Sequence, residues 1–259
     1  MIDVAVAGAT GKLGSMVCSL IQEQKDMRLV GAVVSAEGGK AGKELYPGVV
    51  AVGPDGIEAL CRRCTVLVDA TTAAAAERNL PLAVRSGTNV VMGTTGLSPA
   101  FLEGFRSTVA ESGRSALITP NFSIGVNVFW KTCQMLAGAL PDYEVEIIEV
   151  HHDKKKDAPS GTAVKAAQLI AAETGVTKTV CGREGLVGAR GREIGIHSVR
   201  AGDVVGEHTV IFAGNRERIE LTHRAHSRMA FAEGCVAAVR WVAPLHDGKV
   251  HGMEEVLGL

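Results

Sequence analysis

The feature that most constrains this chain is its first turn. An apolar run, Ile2 to Ala7 with Asp3 its one polar residue, meets Gly8-Ala9-Thr10-Gly11-Lys12-Leu13-Gly14, and helical periodicity then carries through Leu13 to Ile21. From Val4 to Ala7 both faces of the strand are apolar, which occurs where helices cover both sides of a parallel sheet. The glycines at 8, 11 and 14 suit a tight strand-to-helix turn. One lets the chain reverse, one admits a pyrophosphate close to the backbone, and one lets helix and strand pack together, while the helix N-terminus turns its amides toward the anion. The spacing is G-x-x-G-x-x-G rather than G-x-G-x-x-G, so a purely structural turn competes with dinucleotide binding on this signal alone.

The first half continues the pattern. Strand signals at Leu29–Val34, Thr65–Asp69 and Asn89–Met92 alternate with helical signals at Ala73–Ser86 and Ser98–Glu111, which predicts an α/β, Rossmann-like, doubly wound parallel sheet. After Pro120 the texture changes. A helix over Val126–Leu140 precedes an alternating strand over Glu144–Val150, and further strands follow at Glu193–Arg200, Val204–Ala213 and Arg218–Thr222. Strands in succession imply an α+β domain with an open mixed sheet, one face of which is free for a neighbour. Helical spacing returns over Ala230–Trp241. The expected division is therefore 1–122 with 228–259 as one domain, and 123–227 as the other.

Charge and composition exclude several classes of function. With 27 Lys and Arg against 28 Asp and Glu, the net charge is −1, so no global field recruits nucleic acid or an anionic membrane. Aromatics are 4% of the chain, too few for a base-stacking platform. The uncharged stretches Ser86–Leu102 and Ser115–Trp130 contain Asn, Ser, Thr and Pro, and neither has the roughly 18 continuous apolar residues of a membrane span. Met1-Ile2-Asp3-Val4 has no basic segment and long apolar core of a signal peptide, so the expected location is the cytoplasm. The six cysteines read as reduced, and Cys61 and Cys64 as helix-end packing rather than a metal or redox site.

In an open parallel sheet, ligands lie beyond the carboxyl ends of the strands. Three segments meet that description: Asp69-Ala70-Thr71-Thr72, Gly93-Thr94-Thr95-Gly96, and Thr119-Pro120-Asn121-Phe122-Ser123. The second strand, where an NAD site carries an acid about 20 residues after the glycine loop, ends instead in Ser35-Ala36. Glu37 comes two residues late, so nothing at the strand end itself repels a 2′-phosphate, and Lys12 and Lys40 are cations able to pair with one, so NADP is expected to bind at least as well as NAD.

The densest chemistry lies in Glu149-Val150-His151-His152-Asp153-Lys154-Lys155-Lys156-Asp157-Ala158-Pro159-Ser160-Gly161-Thr162-Ala163. Taken singly, a lysine triplet is a solvated loop and Ser-Gly-Thr an N-cap. Together, the first-turn amides of a helix, the Ser160 and Thr162 hydroxyls and nearby ammonium groups make a carboxylate pocket. Paired histidines can carry a proton near neutrality. Hydride addition to a conjugated C=N leaves negative charge on the acceptor, which a cation or proton donor stabilises. Reduction of a small carboxylated imine-like compound fits these groups.

With Gly93–Gly96, Asn121–Asn127, Arg183-Glu184-Gly185, Arg200–His208 and His223–Met229, this segment resembles the 4-hydroxy-tetrahydrodipicolinate reductase (dihydrodipicolinate reductase) family over essentially the whole chain. The resemblance implies a homotetramer with an N-terminal dinucleotide domain and a substrate domain whose sheets build the tetramer. It implies reduction of 4-hydroxy-tetrahydrodipicolinate by NADPH or NADH, with loss of water, to tetrahydrodipicolinate in the diaminopimelate route to lysine. By motif position, His151 is the proton donor or acceptor and Lys155 a proton donor, while His152, Ser160, Gly161 and Thr162 hold a dicarboxylate substrate. The cofactor is contacted by Gly8, Ala9, Thr10, Gly11, Lys12, Leu13, Ser35, Gly93, Thr94, Thr95, Thr119, Pro120, Asn121 and Phe122, with no metal. One departure stands out. Family members often carry an acid, sometimes followed by Arg, where this chain has Ser35-Ala36, which makes Lys12 the preferred phosphate partner. His197, His208, His223 and His226 are expected to pack or to support the site. A related imine or amino-acid dehydrogenase, and a non-catalytic dinucleotide sensor, are the competing readings.

Overall fold

A computed structural model describes residues 1–259. The chain folds into two compact units, Met1–Ile124 with Met229–Leu259, and Gly125–Arg228.

In the first unit, strands β1 (Ile2–Ala7), β2 (Met27–Val33), β3 (Glu44–Tyr46), β4 (Val49–Val52), β5 (Val66–Asp69), β6 (Asn89–Met92) and β7 (Ala116–Ile118) are interleaved with helices α1 (Lys12–Glu23), α2 (Ile57–Cys61), α3 (Ala73–Arg85) and α4 (Pro99–Ser112). Helix α5 (Ile124–Ala139) leads into the second unit, where β8 (Glu144–His151), α6 (Gly161–Thr174), β9 (Thr179–Cys181), β10 (Ile194–Arg200), β11 (Gly206–Gly214) and β12 (Glu217–Ala225) follow. Helix α7 (Met229–Val242), β13 (Val250–His251) and α8 (Met253–Leu257) complete the first unit.

The first sheet has the order β13-β7-β6-β5-β1-β2-β4-β3, parallel except for the β3–β4 pair. Side chains alternate between two apolar layers, as the period of a strand requires. Val4, Val6, Val66 and Val68 face Val17 and Ile21 of α1 and Val236 and Val239 of α7. Ala5, Ala7 and Leu67 face Ile57 and Leu60 of α2, Leu80 of α3 and Phe105 of α4. Helix α7 is tied down by Asn89, whose Nδ2 donates to the Val242 and Leu245 carbonyls, and by Arg240, which pairs with Asp26. Strand β1 pairs with β2 on one side and β5 on the other, so the direction of winding reverses between β1 and β5 and opens a crevice beyond their carboxyl ends.

The second sheet has the order β12-β11-β8-β10-β9, with β8 parallel to β10 and antiparallel to β11. The mixed character follows from the connections. Strands β8 and β10 are linked through α6, whereas β11 and β12 form a hairpin turning on Asn215 and Arg216, both at positive φ. Helices α5 and α6 cover one face, packing Phe129, Cys133, Ala163, Ala166 and Ile170 on Val145, Ile147, Ile194, Ile196, Val210 and Phe212.

Several short elements carried too little periodicity to be read in advance. The β3–β4 hairpin and β13 are two to four residues long and α8 only five, so their places are set by what they pair with or pack on. Strand β12 also runs past Thr222 to Ala225, which puts His223 in the ladder opposite His208. Cys61 closes α2 and is buried with Cys64 beside Thr88. No helix is long and apolar enough to cross a membrane.

Candidate active site

The glycine loop is built by close approach. Gly8 adopts φ +81°, and a Cβ there would stand 2.3 Å from the Ala70 carbonyl oxygen at the end of β5. A Cβ on Gly14 would stand 2.1 Å from the Gly8 oxygen. That carbonyl is already held by the Gly11 amide at 2.8 Å, and the Gly8 amide donates to Val33 at 3.0 Å. Gly11 caps α1 in an extended conformation and has no side chain to satisfy the first-turn amides. From β3, Tyr46 donates its hydroxyl to the Ala9 carbonyl at 2.9 Å and braces the loop from outside. This is a backbone cradle that side chains would fill, with helix amides uncapped, and it fits a pyrophosphate.

A cleft of about 540 Å³ continues from the cradle, lined by Thr10, Gly11, Ser35, Glu37, Arg78 and Asn79 among others. Lys12 opens α1 and is exposed, outside that lining. The guanidinium facing this cleft comes from Arg78 on α3, a residue the sequence reading passed over because a lone helix arginine is ordinarily solvated.

The loops after β5, β6 and β7 are fastened to one another. Asp69 is fully buried. It accepts from the Thr94 hydroxyl at 2.6 Å and the Thr71 hydroxyl at 2.9 Å, and the Thr71 amide reaches Thr94 Oγ1 at 3.0 Å. Burial raises the Asp69 pKa against the pull of these hydrogen bonds. A Cβ on Gly93 would lie 2.4 Å from the Phe122 ring, so the ring packs directly over that glycine. Thr119 Oγ1 donates to the Asn121 carbonyl at 2.8 Å, and Asn121 Oδ1 accepts from the Ser123 amide at 2.9 Å. Thr94, Thr119 and Phe122 are buried, while Thr95 stays exposed.

In the second unit, the helix-covered face of the sheet changes from apolar to polar along its strands. Strand β8 points Val145 and Ile147 into the core and then Glu149 and His151 the same way. In β11, Phe212 and Val210 give way to His208 and Gly206, and in β10, Ile194 and Ile196 give way to Arg200. Register does the rest, setting Arg200 opposite His151 and His208 opposite both Glu149 and His223.

Glu149 is the hub of this polar end. Its carboxylate is buried and takes four hydrogen bonds: Arg200 Nη1 at 2.9 Å and Nη2 at 2.9 Å, the Ser160 amide at 3.1 Å and His151 Nδ1 at 2.5 Å. Burial would push its pKa up, but Arg200 and His151 outweigh that and bring it to about 2. For His151, burial pushes the pKa down, the bond to Glu149 pulls it back, and the charges of Lys155 and Arg200 push it down again. His208 is buried against Phe129 and edge-on to His151, with ring centroids 5.2 Å apart. Burial first, then the neighbouring His151, depress its pKa to about 3, so it is neutral. Its Nε2 lies 2.9 Å from Ser160 Oγ. Ser160 caps α6 by accepting the Ala163 amide at 3.2 Å, and beside it nothing lies within 4 Å of where a Gly161 Cβ would be. Trp130 Nε1 donates to the Thr162 carbonyl at 3.0 Å and steadies that first turn.

The structure thus brings His151, Ser160, Gly161 and Thr162 to the N-terminal turn of α6 and the end of β8. Lys155 is paired with Asp157 at 2.8 Å and reaches His151 through its charge. His152 follows β8, and its buried Nδ1 has no hydrogen-bond partner. His197 lies elsewhere, against Glu146 at 2.7 Å in a cluster with Arg183 and Arg190. Sequence reasoning quoted Glu149, Asp69 and Arg200 within their motifs without giving any of them a role. For Glu149 a signal existed, since residues two apart in a strand share a face. Arg200 becomes visible only through the β8–β10 register.

A doubly wound sheet with a pyrophosphate cradle, joined in one chain to a histidine and carboxylate site, defines an NAD(P)-dependent oxidoreductase. Residues 2–122 match the family described as "Dihydrodipicolinate reductase, N-terminus", and residues 125–257 match "Dihydrodipicolinate reductase, C-terminus". The chain belongs to the dihydrodipicolinate reductase family. It is 46% identical over 265 residues to the 4-hydroxy-tetrahydrodipicolinate reductase of Methanosarcina barkeri, covering 100% of both chains. Identity to the enzyme of that name from Methanocaldococcus jannaschii is 44%, over 100% of this chain and 98% of the other. Among solved structures, the dipicolinate-bound dihydrodipicolinate reductase of Paenisporosarcina sp. TG-14 superposes with a TM-score of 0.82, at 28% identity and 98% coverage of each chain. An engineered D-amino acid dehydrogenase bound to NADP+ shares the fold, with a TM-score of 0.59 at 15% identity over 98% of this chain and 93% of the other.

Proposed function

We propose that this chain reduces 4-hydroxy-tetrahydrodipicolinate to tetrahydrodipicolinate, with loss of water, in the diaminopimelate route to lysine. The observation that carries the reading is the polar end of the second sheet, where His151 and the N-terminal turn of α6 are tied to one buried carboxylate. A bound NADPH or NADH supplies the hydride. The chain's own part is to hold a dianionic substrate and to manage protons.

The first-turn amides of α6 and the Ser160 and Thr162 hydroxyls receive carboxylate oxygens, with His152 beside them, because a helix N-terminus places N–H donors and positive partial charge toward an anion. Departure of the hydroxyl as water takes up one proton and releases another from the adjacent ring carbon, and hydride addition to the conjugated C=N system then leaves a negative charge that a proton quenches, so one proton is consumed per hydride. An imidazole and an ammonium group can each pass a proton, and His151 and Lys155 bring these groups to this site and meet that demand. In the first unit, Gly8, Ala9, Thr10, Gly11, Lys12 and Leu13 form the pyrophosphate cradle. Ser35 lines the cleft and would meet the ribose end, and the loops at Gly93, Thr94 and Thr95 and at Thr119, Pro120, Asn121 and Phe122 would hold the nicotinamide end.

The same reading makes the unit 1–124 with 229–259 the dinucleotide domain and 125–228 the substrate and oligomerisation domain. It also assigns a cytoplasmic homotetramer. In support, Val199 and Ile219 on the second sheet and Leu186 and Val187 in the loop before β10 expose apolar surface that a neighbouring subunit would cover. Substrate is generated in the cuvette by the preceding synthase, and dinucleotide oxidation is followed by absorbance. Synthase-dependent consumption is the expected result, and none with either NADPH or NADH overturns the assignment.

A further inference from the structure

The histidine cannot choose its own tautomer. In a neutral imidazole one nitrogen donates and the other accepts, and the partner of one decides the role of the other. When ionised, Glu149 offers only acceptors; three of its four contacts are fixed donors, the two N–H groups of Arg200 and the Ser160 amide, and the fourth is His151 Nδ1, which can bond to such a carboxylate only by donating. Arg200 retains its charge at any working pH, so the buried pair is neutral overall and the carboxylate has no need to take up a proton. A protonated Glu149 could instead donate to Nδ1 and reverse the imidazole. On the far side of the ring, Nε2 faces Gly206 in β11, where a Cβ would stand 3.0 Å away, so the missing side chain leaves that nitrogen its space.

We propose that Glu149, kept ionised by Arg200, is the positioning residue of this site: it holds His151 in the Nδ1–H tautomer and leaves Nε2 as the nitrogen that exchanges a proton with substrate. The same carboxylate anchors the Ser160 amide, so the proton-transfer group and the start of the carboxylate cradle share one support. The groups acting on the imidazole from the elements around it are consistent with this. Glu149 comes from β8, Arg200 from β10, neutral His208 from β11 and Lys155 from the loop after β8. The role in turnover rests on the reductase reading, whereas the tautomer is a property of the free protein.

The test uses the full-length protein labelled with 15N-histidine. Wild type should show neutral His151 protonated at Nδ1, and Glu149→Gln, whose amide can donate to Nδ1, should move population to the Nε2–H form. In the holoenzyme, kcat of Glu149→Gln should fall about 10²- to 10⁴-fold, the scale seen when a catalytic histidine is left in the wrong tautomer. The dinucleotide KM should stay unchanged, and Glu149→Asp should recover part of the loss. A merely structural role would lower thermal stability without altering the tautomer or the pH profile of kcat/KM. An Nε2–H form in the wild type overturns the proposal, and so does a Glu149→Gln enzyme with wild-type kcat and pH profile. The wild-type spectrum needs no variant to fold. Absence of reductase activity in the wild type would sink the substrate reading and leave the tautomer to be decided by the spectrum.

Discussion

Replacing Gly14 by alanine tests the cradle at its tightest point. The new Cβ would lie 2.1 Å from the Gly8 oxygen and 2.7 Å from the Gly8 carbonyl carbon, where contacts below 3.0 Å are essentially never found. The Gly8 carbonyl cannot retreat freely. The Gly11 amide holds it at 2.8 Å, the Gly8 amide is anchored on Val33, and Gly8 itself abuts Ala70. Helix α1 must therefore shift outward by about 1 Å, taking its first-turn amides with it, and such overpacking costs about 1–3 kcal/mol. If that cost falls on the bound geometry, dinucleotide affinity drops about 5- to 140-fold. Alanine in a helix interior recovers about 1 kcal/mol relative to glycine, so thermal stability should fall less than binding does. Gly11→Ala is the matched control, because its Cβ meets one atom at 3.2 Å and its φ of −77° suits any residue. Calorimetric titration with NADPH reads the affinities directly. Unchanged affinity in Gly14→Ala, or a larger loss in Gly11→Ala, would refute the assignment of the cradle.

Other expectations concern the proton donors, cofactor choice and acid stability. His151→Ala and Lys155→Ala should each lower kcat about 10²- to 10⁴-fold while sparing the dinucleotide KM. Steady-state kinetics with wild-type turnover in both variants would remove their assigned roles. Arg78→Ala should raise KM for NADPH about tenfold, as loss of a charge-assisted hydrogen bond predicts, and leave NADH nearly unaffected, since Arg78 is the guanidinium lining the cleft beside Ser35. Equal changes for the two cofactors would return the 2′-phosphate to Lys12. Stability should decline in two steps as pH falls. The folded pKa of His208, about 3, lies below its ordinary 6.5, so its neutral form stabilises the fold above pH 6.5 and that contribution is lost progressively toward pH 3. Glu149, at about 2 against 4.5, adds a second loss between those values. Urea midpoints measured across this range should fall monotonically, and His208→Phe should flatten the upper step.

Much of the molecule was legible from short stretches. The turn from β1 into α1 could be read because its strand, glycines and helix are contiguous and each imposes a local backbone requirement. The Ser160 cap could be read for the same reason, since a serine and the amide three residues on lie within one turn. The alternation of strand and helix in the first 120 residues likewise predicted a doubly wound sheet, because the hydrophobic period belongs to each segment alone.

Strand order and register decided the remainder. Asp69 and Thr94 are 25 residues apart and meet because β5 and β6 are neighbours. Tyr46 braces the glycine loop from a hairpin only seven residues long in its strands, too short to carry a pattern. Arg200 reaches Glu149 across 51 positions because β10 pairs in parallel with β8, placing Arg200 opposite His151. The sequence by itself determined a glycine-built strand-to-helix turn, a histidine pair at the end of a strand and a capped helix. Only the tertiary structure could decide which buried charge stands behind that histidine, because partners distant in the chain are selected by sheet register, which no local period encodes.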